Sequence, residues 1–229
     1  MPVLKVHFET SLRRTGAEHR DVHEFVDAPG KKDERHDIKK IFEFGEMIRD
    51  DDLALLRKAG VAEKDVGHSL KVAQKALDIA RRTGASVDME FVGRAALFHD
   101  LGKAQTHAIE HGRLGAEAGK KLGLPDHITA VMEKHIRGGL TEAEARELGL
   151  PVKDYSLKAL EERIIIYADR LVDIIMDGVV KTEPEAEERF EEIMSTNTRY
   201  GKNETTLQRY LGYHREIQGL IKKEKSNER

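Results

Sequence analysis

The sequence contains no cysteine and no tryptophan, and only 5% of its residues are aromatic. The absence of cysteine excludes disulfides, thiolate metal sites and cysteine nucleophiles, so histidine and carboxylate groups are the only strong metal ligands in the chain. The sequence also lacks a long apolar run. The longest, Ile164 to Ala168, is too short to cross a bilayer, and no signal-like segment opens the chain. We therefore expect a cytoplasmic protein that does not act at a membrane.

Neither sign of charge dominates the sequence. It has 39 Lys and Arg against 42 Asp and Glu, for a formal net charge of -3. This balance gives no bulk electrostatic reason to expect a nucleic-acid partner, because a basic patch would have to form locally. At 229 residues, the chain is long enough for one main domain with a substantial core plus terminal additions.

The first 44 residues differ in pattern from the rest of the chain. Leu4, Val6 and Phe8 alternate with polar residues, which indicates a short strand, and residues 22–26 could pair with it. We predict a small N-terminal extension over residues 1–44 that could contain short β-strands and to which no role can be assigned.

From Glu34 onward the apolar spacing is helical. One predicted helix ends at Gly84 and buries one face, formed by Val66, Leu70, Ala73, Leu77 and Ala80. A longer one, over residues 157–180, turns inward Ile164, Ala168, Leu171, Val172 and Ile175. Thr141 with Glu144 three residues later is a capping box that opens a short helix.

These patterns predict an all-α protein. We place a helical domain over residues 45–182 and two polar helices, near 184–195 and 203–225, in a C-terminal part over residues 183–229 that packs on this domain.

His99 and Asp100 close an apolar helical stretch and are followed by Gly102 and Lys103. Adjacent helical residues point about 100° apart, so both side chains can reach one ion only from a helix end beside a cavity. The alternative is a C-terminal helix charge next to a turn acid. We favour a metal site, because an aspartate that closes an apolar run would be costly to bury without a partner.

Four further candidate ligands lie in or beside helical, partly apolar segments. With His99 and Asp100 they form an ordered set of six, completed by His68, His111, His135 and Asp169. This mixture of nitrogen and oxygen donors suits Mn, Fe, Co, Ni or Zn better than Mg or Ca alone. Lys103, one turn past His99, and Arg137, just after His135, are candidate phosphate contacts, and a solvated cation is the alternative for each.

The ordered set resembles the HD-domain superfamily of metal-dependent phosphohydrolases. The resemblance covers about residues 50–180, and the local contexts are similar to the archaeal HDIG branch at Gly67 to Ala73, Phe98 to Lys103, His111 to Ala116, Glu133 to Gly139 and Tyr167 to Asp169. A second His-Asp dipeptide, His36-Asp37, lies outside this order, and we interpret it as chance.

The resemblance implies an all-α HD-domain helical bundle that binds one or two divalent transition metal ions. One ion would be held by His68, His99, Asp100 and Asp169, and Asp100 would bridge to a second ion held by His111 and His135. The implied reaction is attack of a metal-bound hydroxide on phosphorus, with Asp100 and Lys103 as catalytic residues and Lys103 and Arg137 as substrate contacts.

The resemblance leaves the substrate open. One candidate is a nucleotide or pterin cyclic phosphate, such as dihydroneopterin 2′,3′-cyclic phosphate. The contexts of His111 and His135 are also similar to an enzyme that splits diadenosine tetraphosphate symmetrically. A non-catalytic HD domain that binds a nucleotide as a sensor, or that docks a partner, is a third reading. The sequence does not determine the oligomeric state.

The remaining candidates have simpler explanations. Asp173 and Asp177 continue the face of Asp169 and are expected to be solvated or to pair with Arg170. Three further histidines are expected at the surface, and the first of them is close enough in sequence to the site to reach a substrate: His107, His127 and His214.

Overall fold

The computed structural model describes residues 47–227. Within this range the protein is built from helices and contains no strand, so the all-α prediction is confirmed. No helix in the described range is long and apolar enough to span a membrane. The strands predicted near the N-terminus, and the dipeptide His36-Asp37, lie outside the described residues.

The helices follow one another with short connections. In chain order they are α1 (Asp50–Lys58), α2 (Glu63–Arg82), α3 (Met89–Phe98), α4 (His111–Lys121), α5 (Asp126–Lys134), α6 (Glu142–Glu147), α7 (Leu160–Met176), α8 (Glu183–Glu188), α9 (Phe190–Thr196), α10 (Thr198–Gly201) and α11 (Glu204–Asn227). Two 3-10 turns interrupt this order, Leu101–Ala104 after α3 and Ile136–Gly138 after α5.

The chain divides into two compact units, Met1–Ala54 and Leu55–Arg229. In the first unit, the described residues include the start of α1, whose first turn carries the acids that favour a helix N-terminus. The second unit contains the core and the candidate site. The domain limits expected from the sequence, at 44/45 and 182/183, stay predictions.

The core of the second unit forms where α2 packs against α3 and α7. The apolar face predicted for α2 is buried over its whole length. On α7, Ile164, Ala168 and Leu171 are buried as expected, whereas Ile175 is only partly buried and Ile174 takes the core position. The buried face of α7 is wider than one stripe, because neighbouring helices cover it on more than one side.

Two glycines let the first 3-10 turn lie directly on α4. A Cβ atom at Gly102 would lie 1.9 Å from the carbonyl oxygen of His111 and 2.7 Å from the nitrogen of Gly115. A Cβ atom at Gly115 would in turn lie 2.9 Å from the nitrogen of Gly102. No side chain fits at such distances, so this backbone contact needs glycine on both sides. It brings the start of α4 next to the end of α3.

The C-terminal helices also differ from the expectation. The helix expected near 184–195 is broken at Arg189 into α8 and α9. The last helix, α11, packs against α7 and the second 3-10 turn. The capping box predicted at Thr141 and Glu144 is present at the start of α6.

A largely buried ion-pair cluster ties α8 to α2. Lys75, only 4% exposed, donates to Glu187 at 2.6 Å and to Glu183 at 3.2 Å. Arg82 donates to both oxygens of Glu187 at 2.8 and 2.7 Å. Burial would raise the pKa of Glu187, but its bonds and charge interactions with Arg82 and Lys75 hold that pKa at about 2. A paired and hydrogen-bonded carboxylate of this kind stabilises the fold, and its removal leaves buried cations unbalanced.

We predict that Glu187→Gln destabilises the protein in a pH-dependent way. Because the pKa is about 2 in the folded protein and 4.5 in its unpaired form, ionised Glu187 contributes on the order of 3 kcal/mol at neutral pH. The depressed pKa means that this contribution is complete above about pH 4.5 and is lost as the pH falls toward about 2. Urea unfolding of wild type and variant should show a large gap at pH 7 that narrows on acidification. The exposed neighbour provides the control, since Glu188→Gln should change little at either pH.

Candidate metal centre

The six candidate ligands come from five separate segments of the second unit. They are His68 within α2, His99 and Asp100 at the end of α3, His111 at the first position of α4, His135 just after α5 and Asp169 within α7. The structure brings them together in one cluster, with His99 fully buried and Asp100 only 2% exposed. Helix ends supply four of the six side chains, which is how neighbouring residues such as His99 and Asp100 reach the same place.

Asp100 lies at the centre of this cluster and presents each of its oxygens to a different pair of histidines. Oδ2 lies 3.2 Å from His99 Nε2 and 3.6 Å from His68 Nε2. Oδ1 lies 3.3 Å from His111 Nε2 and 3.4 Å from His135 Nε2. One carboxylate therefore belongs to two adjacent groups of donor atoms, which is the arrangement of a bridging ligand.

Asp169 completes the first of these groups. Its Oδ1 lies 3.0 Å from His68 Nε2 and 3.4 Å from His99 Nε2. The first group thus contains two imidazoles and two carboxylates, whereas the second contains two imidazoles and the shared Asp100. Both donor sets suit divalent transition metals.

Backbone carbonyls orient three of the four histidines. The Nδ1 atoms of His99, His111 and His135 lie 2.7, 2.6 and 2.6 Å from the carbonyl oxygens of the residues three positions earlier. A carbonyl oxygen can only accept a hydrogen bond, so Nδ1 carries the proton in each ring. In the neutral ring the lone pair is then on Nε2, which faces Asp100. This is the way in which proteins hold imidazoles as metal ligands.

The contact between His111 and His135 tests whether the site fits a metal ion. Their Nε2 atoms lie only 2.9 Å apart, and both face Asp100 Oδ1. Burial lowers the pKa of His135 and outweighs the effect of Asp100, which favours the neutral ring. A neutral imidazole whose Nδ1 proton is held by a backbone carbonyl presents a lone pair at Nε2. A divalent ion bound between the two rings would satisfy both Nε2 atoms and the carboxylate oxygen.

The first group of ligands, around Oδ2 of Asp100, also fits a metal ion. His99 Nε2 is buried and forms no hydrogen bond of acceptable geometry, although two carboxylate oxygens lie near it. Burial alone would raise the pKa of Asp100, yet the charge of His99 and the neighbouring imidazoles of His111 and His135 hold that pKa well below its ordinary value. Burial would likewise lower the pKa of His99, but Asp100 and Asp169 raise it well above its ordinary value. The buried carboxylates of Asp100 and Asp169 are therefore stable in ionised form only with positive charge beside them.

Lys103 supplies part of that charge. Its ammonium forms a short ion pair with Asp100 Oδ2, the oxygen that faces His68 and His99. Burial would lower the pKa of Lys103, but Asp100 raises it, so the side chain is charged. With 22% of its side chain exposed, Lys103 reaches from the buried carboxylate toward the solvent.

Arg137, the second phosphate-contact candidate, follows the cluster in the 3-10 turn after His135. Its backbone is left-handed, with φ 50° and ψ 28°, which is uncommon for a residue with a side chain. Its carbonyl oxygen accepts a hydrogen bond from Arg209 Nη1 of α11 at 3.0 Å. The C-terminal helix therefore helps to set the position of Arg137.

Asp173 lies at the edge of the cluster, closer than the sequence suggested. It accepts a hydrogen bond from Arg170 at 3.1 Å, as expected, but its Oδ1 also lies 4.0 Å from His68 Nδ1. Burial and the charge of Asp169 raise the pKa of Asp173 to about 6. The spacing of four residues from Asp169 was the sequence signal for this position. Asp177 pairs with Arg199 and Tyr200 instead of Arg170.

The other histidines within residues 47–227 stand apart from the cluster. His107 lies largely exposed, 3.3 Å from Asp65, and His127 is exposed. The surface prediction is wrong for His214, which is half-buried, stacks on the ring of Phe190 and lies 2.8 Å from the hydroxyl of Tyr167.

Comparison with known proteins gives a family match in this part of the chain. Residues 66–173 match the model of the HD domain. The uncharacterized protein MJ0778 of Methanocaldococcus jannaschii is 38% identical over 168 residues, which cover 70% of this chain and 92% of the relative.

One further relative and one solved structure are also similar to this chain. The tRNA (cytidine(56)-2'-O)-methyltransferase of Thermoplasma volcanium is 36% identical over 119 residues, or 52% of this chain, but the match spans only 35% of that enzyme. The HD domain of the L. monocytogenes phosphodiesterase PgpH, solved in complex with cyclic-di-AMP, aligns with a TM-score of 0.48 and 20% identity over 73% of this chain and 95% of that domain.

We predict that metal content separates the two groups of ligands. Asp100→Ala removes an oxygen from both groups and should lose both ions, whereas His111→Ala should lose about one equivalent and keep the ion at the first group. Elemental analysis of the purified variants measures this directly. His127→Ala, an exposed histidine outside the cluster, should retain the wild-type metal content. Unchanged metal in the His111 variant would exclude a second ion at that group.

Proposed function

The chain belongs to the HD-domain family, and from this we propose that it is a metal-dependent phosphohydrolase that cleaves a phosphoester or phosphodiester bond in a small phosphorylated metabolite. Nucleotides and pterin cyclic phosphates are the substrate classes that we favour. The observation that carries the proposal is Asp100, whose two oxygens face two separate pairs of histidines. HD domains bind divalent metals, and a carboxylate shared by two donor groups suits a pair of ions side by side.

The ligands that would hold the ions follow from the contacts. We assign His68, His99 and Asp169, with Oδ2 of Asp100, to the first ion, and His111 and His135, with Oδ1 of Asp100, to the second. When bound, such ions lower the pKa of a coordinated water and polarise the oxygens of a phosphate. The backbone carbonyls that accept from Nδ1 keep the histidine rings turned toward Asp100, so the site is organised before a substrate arrives.

Lys103 has the position to act on the phosphate. It is charged, partly exposed and one helical turn from His99, and its partner in the protein is Asp100 Oδ2, which we assign as a metal ligand. An ammonium in this partly buried setting needs an anionic partner, and a phosphate oxygen supplies one. Lys103 would then neutralise the negative charge that grows on the phosphate as the bond to the leaving group breaks.

The test of the proposed function is hydrolysis of a generic diester. Protein loaded with Mn or Fe should release nitrophenol from bis(4-nitrophenyl) phosphate, and removal of metal by a chelator should abolish that release and re-addition should restore it. The alternative, a nucleotide-binding sensor, predicts tight nucleotide binding by calorimetry with no turnover of any phosphate ester across several metals. That result would overturn the proposal.

We further predict that Lys103→Ala separates metal binding from turnover. The variant lacks no metal ligand, so its metal content should equal that of the wild type. Turnover of bis(4-nitrophenyl) phosphate should fall roughly 10²-fold, the order of magnitude for removal of one donor that stabilises charge in the transition state. Lys71→Ala, an exposed lysine on α2, serves as the matched control and should retain full turnover. Equal rates for both variants would assign Lys103 to the structure of the cluster alone.

A further inference from the structure

We propose that Asp173 positions the ring of His68 by accepting a hydrogen bond from its Nδ1, so that His68 Nε2 is free to bind the first ion. The inference rests on the proposed function, since it concerns the ion that we assign to His68, His99, Asp100 and Asp169. It adds a residue outside the six candidate ligands. Asp173 acts through a histidine ligand and is therefore a positioning residue.

His68 differs from the other candidate histidine ligands in what holds its ring. In His99, His111 and His135, the carbonyl oxygen three positions earlier accepts from Nδ1. His68 lies in the interior of α2, where helical hydrogen bonds already engage the backbone carbonyls. Within the described part of the chain, its hydrogen bond uses Nε2 and no backbone carbonyl accepts from its Nδ1. The fourth ring therefore needs a side-chain acceptor.

The role of His68 as a ligand decides where its proton must be. A neutral imidazole carries a single ring proton, so a ring that offers Nε2 to an ion carries that proton on Nδ1. Nε2 of His68 faces the candidate ligand oxygens, 3.0 Å from Asp169 Oδ1 and 3.6 Å from Asp100 Oδ2. Because His68 is only 7% exposed, a proton on Nδ1 without an acceptor would be costly. A carboxylate is one of the groups that commonly accept it.

Asp173 lies on the Nδ1 side of this ring. Its Oδ1 lies 4.0 Å from His68 Nδ1, and among the described residues no other carboxylate lies within that distance of the nitrogen. Asp169 and Asp173 are four residues apart on α7, so they share one face of the helix and approach the two ring nitrogens separately. The distance exceeds a hydrogen bond by about 1 Å. The side chain of Asp173, 34% exposed, has the freedom to close that gap.

Arg170 holds the other oxygen of Asp173. Its Nη1 donates to Asp173 Oδ2 at 3.1 Å, which leaves Oδ1 for His68. Its Nη2 donates to the hydroxyl of Tyr210 on α11 at 3.1 Å, and the guanidinium lies over that ring, 4.8 Å from the centroid. Tyr210 is itself buried. The carboxylate is thus fixed at one oxygen by a cation that the C-terminal helix holds, and its second oxygen is directed at His68.

The ring proton of His68 tests the inference directly. Protein with isotopically labelled histidine and bound Zn²⁺ should show an Nδ1–H resonance of His68 that is protected from exchange with solvent, assigned by its loss in His68→Gln. Asp173→Ala should remove that protection. The resonances of His99, His111 and His135, whose Nδ1 atoms bond to the backbone, should stay protected and serve as internal controls.

Metal affinity gives a second measurement. In the background of His111→Ala, which we expect to keep the first ion alone, Asp173→Ala should weaken Zn²⁺ binding roughly 10- to 100-fold, the usual cost of removing a group that orients a metal-bound histidine. Competition with a chelating dye measures this loss. Asp177→Ala, one turn further along and paired with Arg199, is the matched control and should keep the affinity. Asp173→Glu keeps a carboxylate and should keep both the affinity and the protected resonance.

Two results would overturn the inference. One is a His68 proton that exchanges with solvent equally fast in wild type and in Asp173→Ala. The other is lost protection at all four histidines together with a lower melting temperature, which would assign Asp173 to the general stability of the fold. Neither measurement needs turnover. If bis(4-nitrophenyl) phosphate is not hydrolysed with any metal, the proposed function fails, whereas a protected His68 proton that depends on Asp173 would still support the positioning role.

Discussion

The organisation of the site depends on one buried carboxylate, that of Asp100, which is shared by two sets of histidines. An ionised group at 2% exposure is unfavourable unless positive charge and hydrogen-bond donors surround it. Lys103 and His99 supply positive charge at one oxygen, whereas the Nε2 atoms of His111 and His135 at the other oxygen are arranged to share a bound cation with it. The glycine contact between the first 3-10 turn and α4 serves the same end, because it lets His111 approach Asp100. These local packing contacts therefore position the Asp100 carboxylate and the histidines around it.

Charge inside the protein is balanced locally. In the largely buried cluster that ties α8 to α2, the cations of Lys75 and Arg82 are matched by the carboxylates of Asp78, Glu183 and Glu187. The candidate metal centre, by contrast, contains Asp100 and Asp169, and within the protein Lys103 and His99 supply the positive charge. Of the two clusters, only the second contains a buried side-chain atom without a hydrogen bond, His99 Nε2.

The sequence predicted the parts of this arrangement that depend on local spacing. The period of the apolar residues identified the buried face of α2, and Thr141 with Glu144 identified the capping box of α6. What it did not reveal depends on residues far apart in the chain. The hydrogen bond from Arg209 to Arg137 joins positions 72 residues apart, and the pairing of Lys75 with Glu187 joins positions 112 residues apart. The spacing of apolar residues carries no information about such long-range contacts. Helix propensity alone likewise does not predict the break of the helix at Arg189. The six candidate ligands could be proposed because their order and local contexts resemble a known family, and their roles as metal ligands await experiment.

The hydrogen bonds from α11 to the turn after His135 have a consequence for the order in which the chain folds during synthesis. All six candidate ligands lie between His68 and Asp169, so the whole set is synthesised before α11 begins at Glu204. The turn that carries Arg137 acquires its hydrogen bonds from Arg209 and Tyr213 only after that helix has emerged. A nascent chain could therefore bring its candidate ligands together early, while the turn that follows His135 takes its final conformation only when synthesis is almost complete.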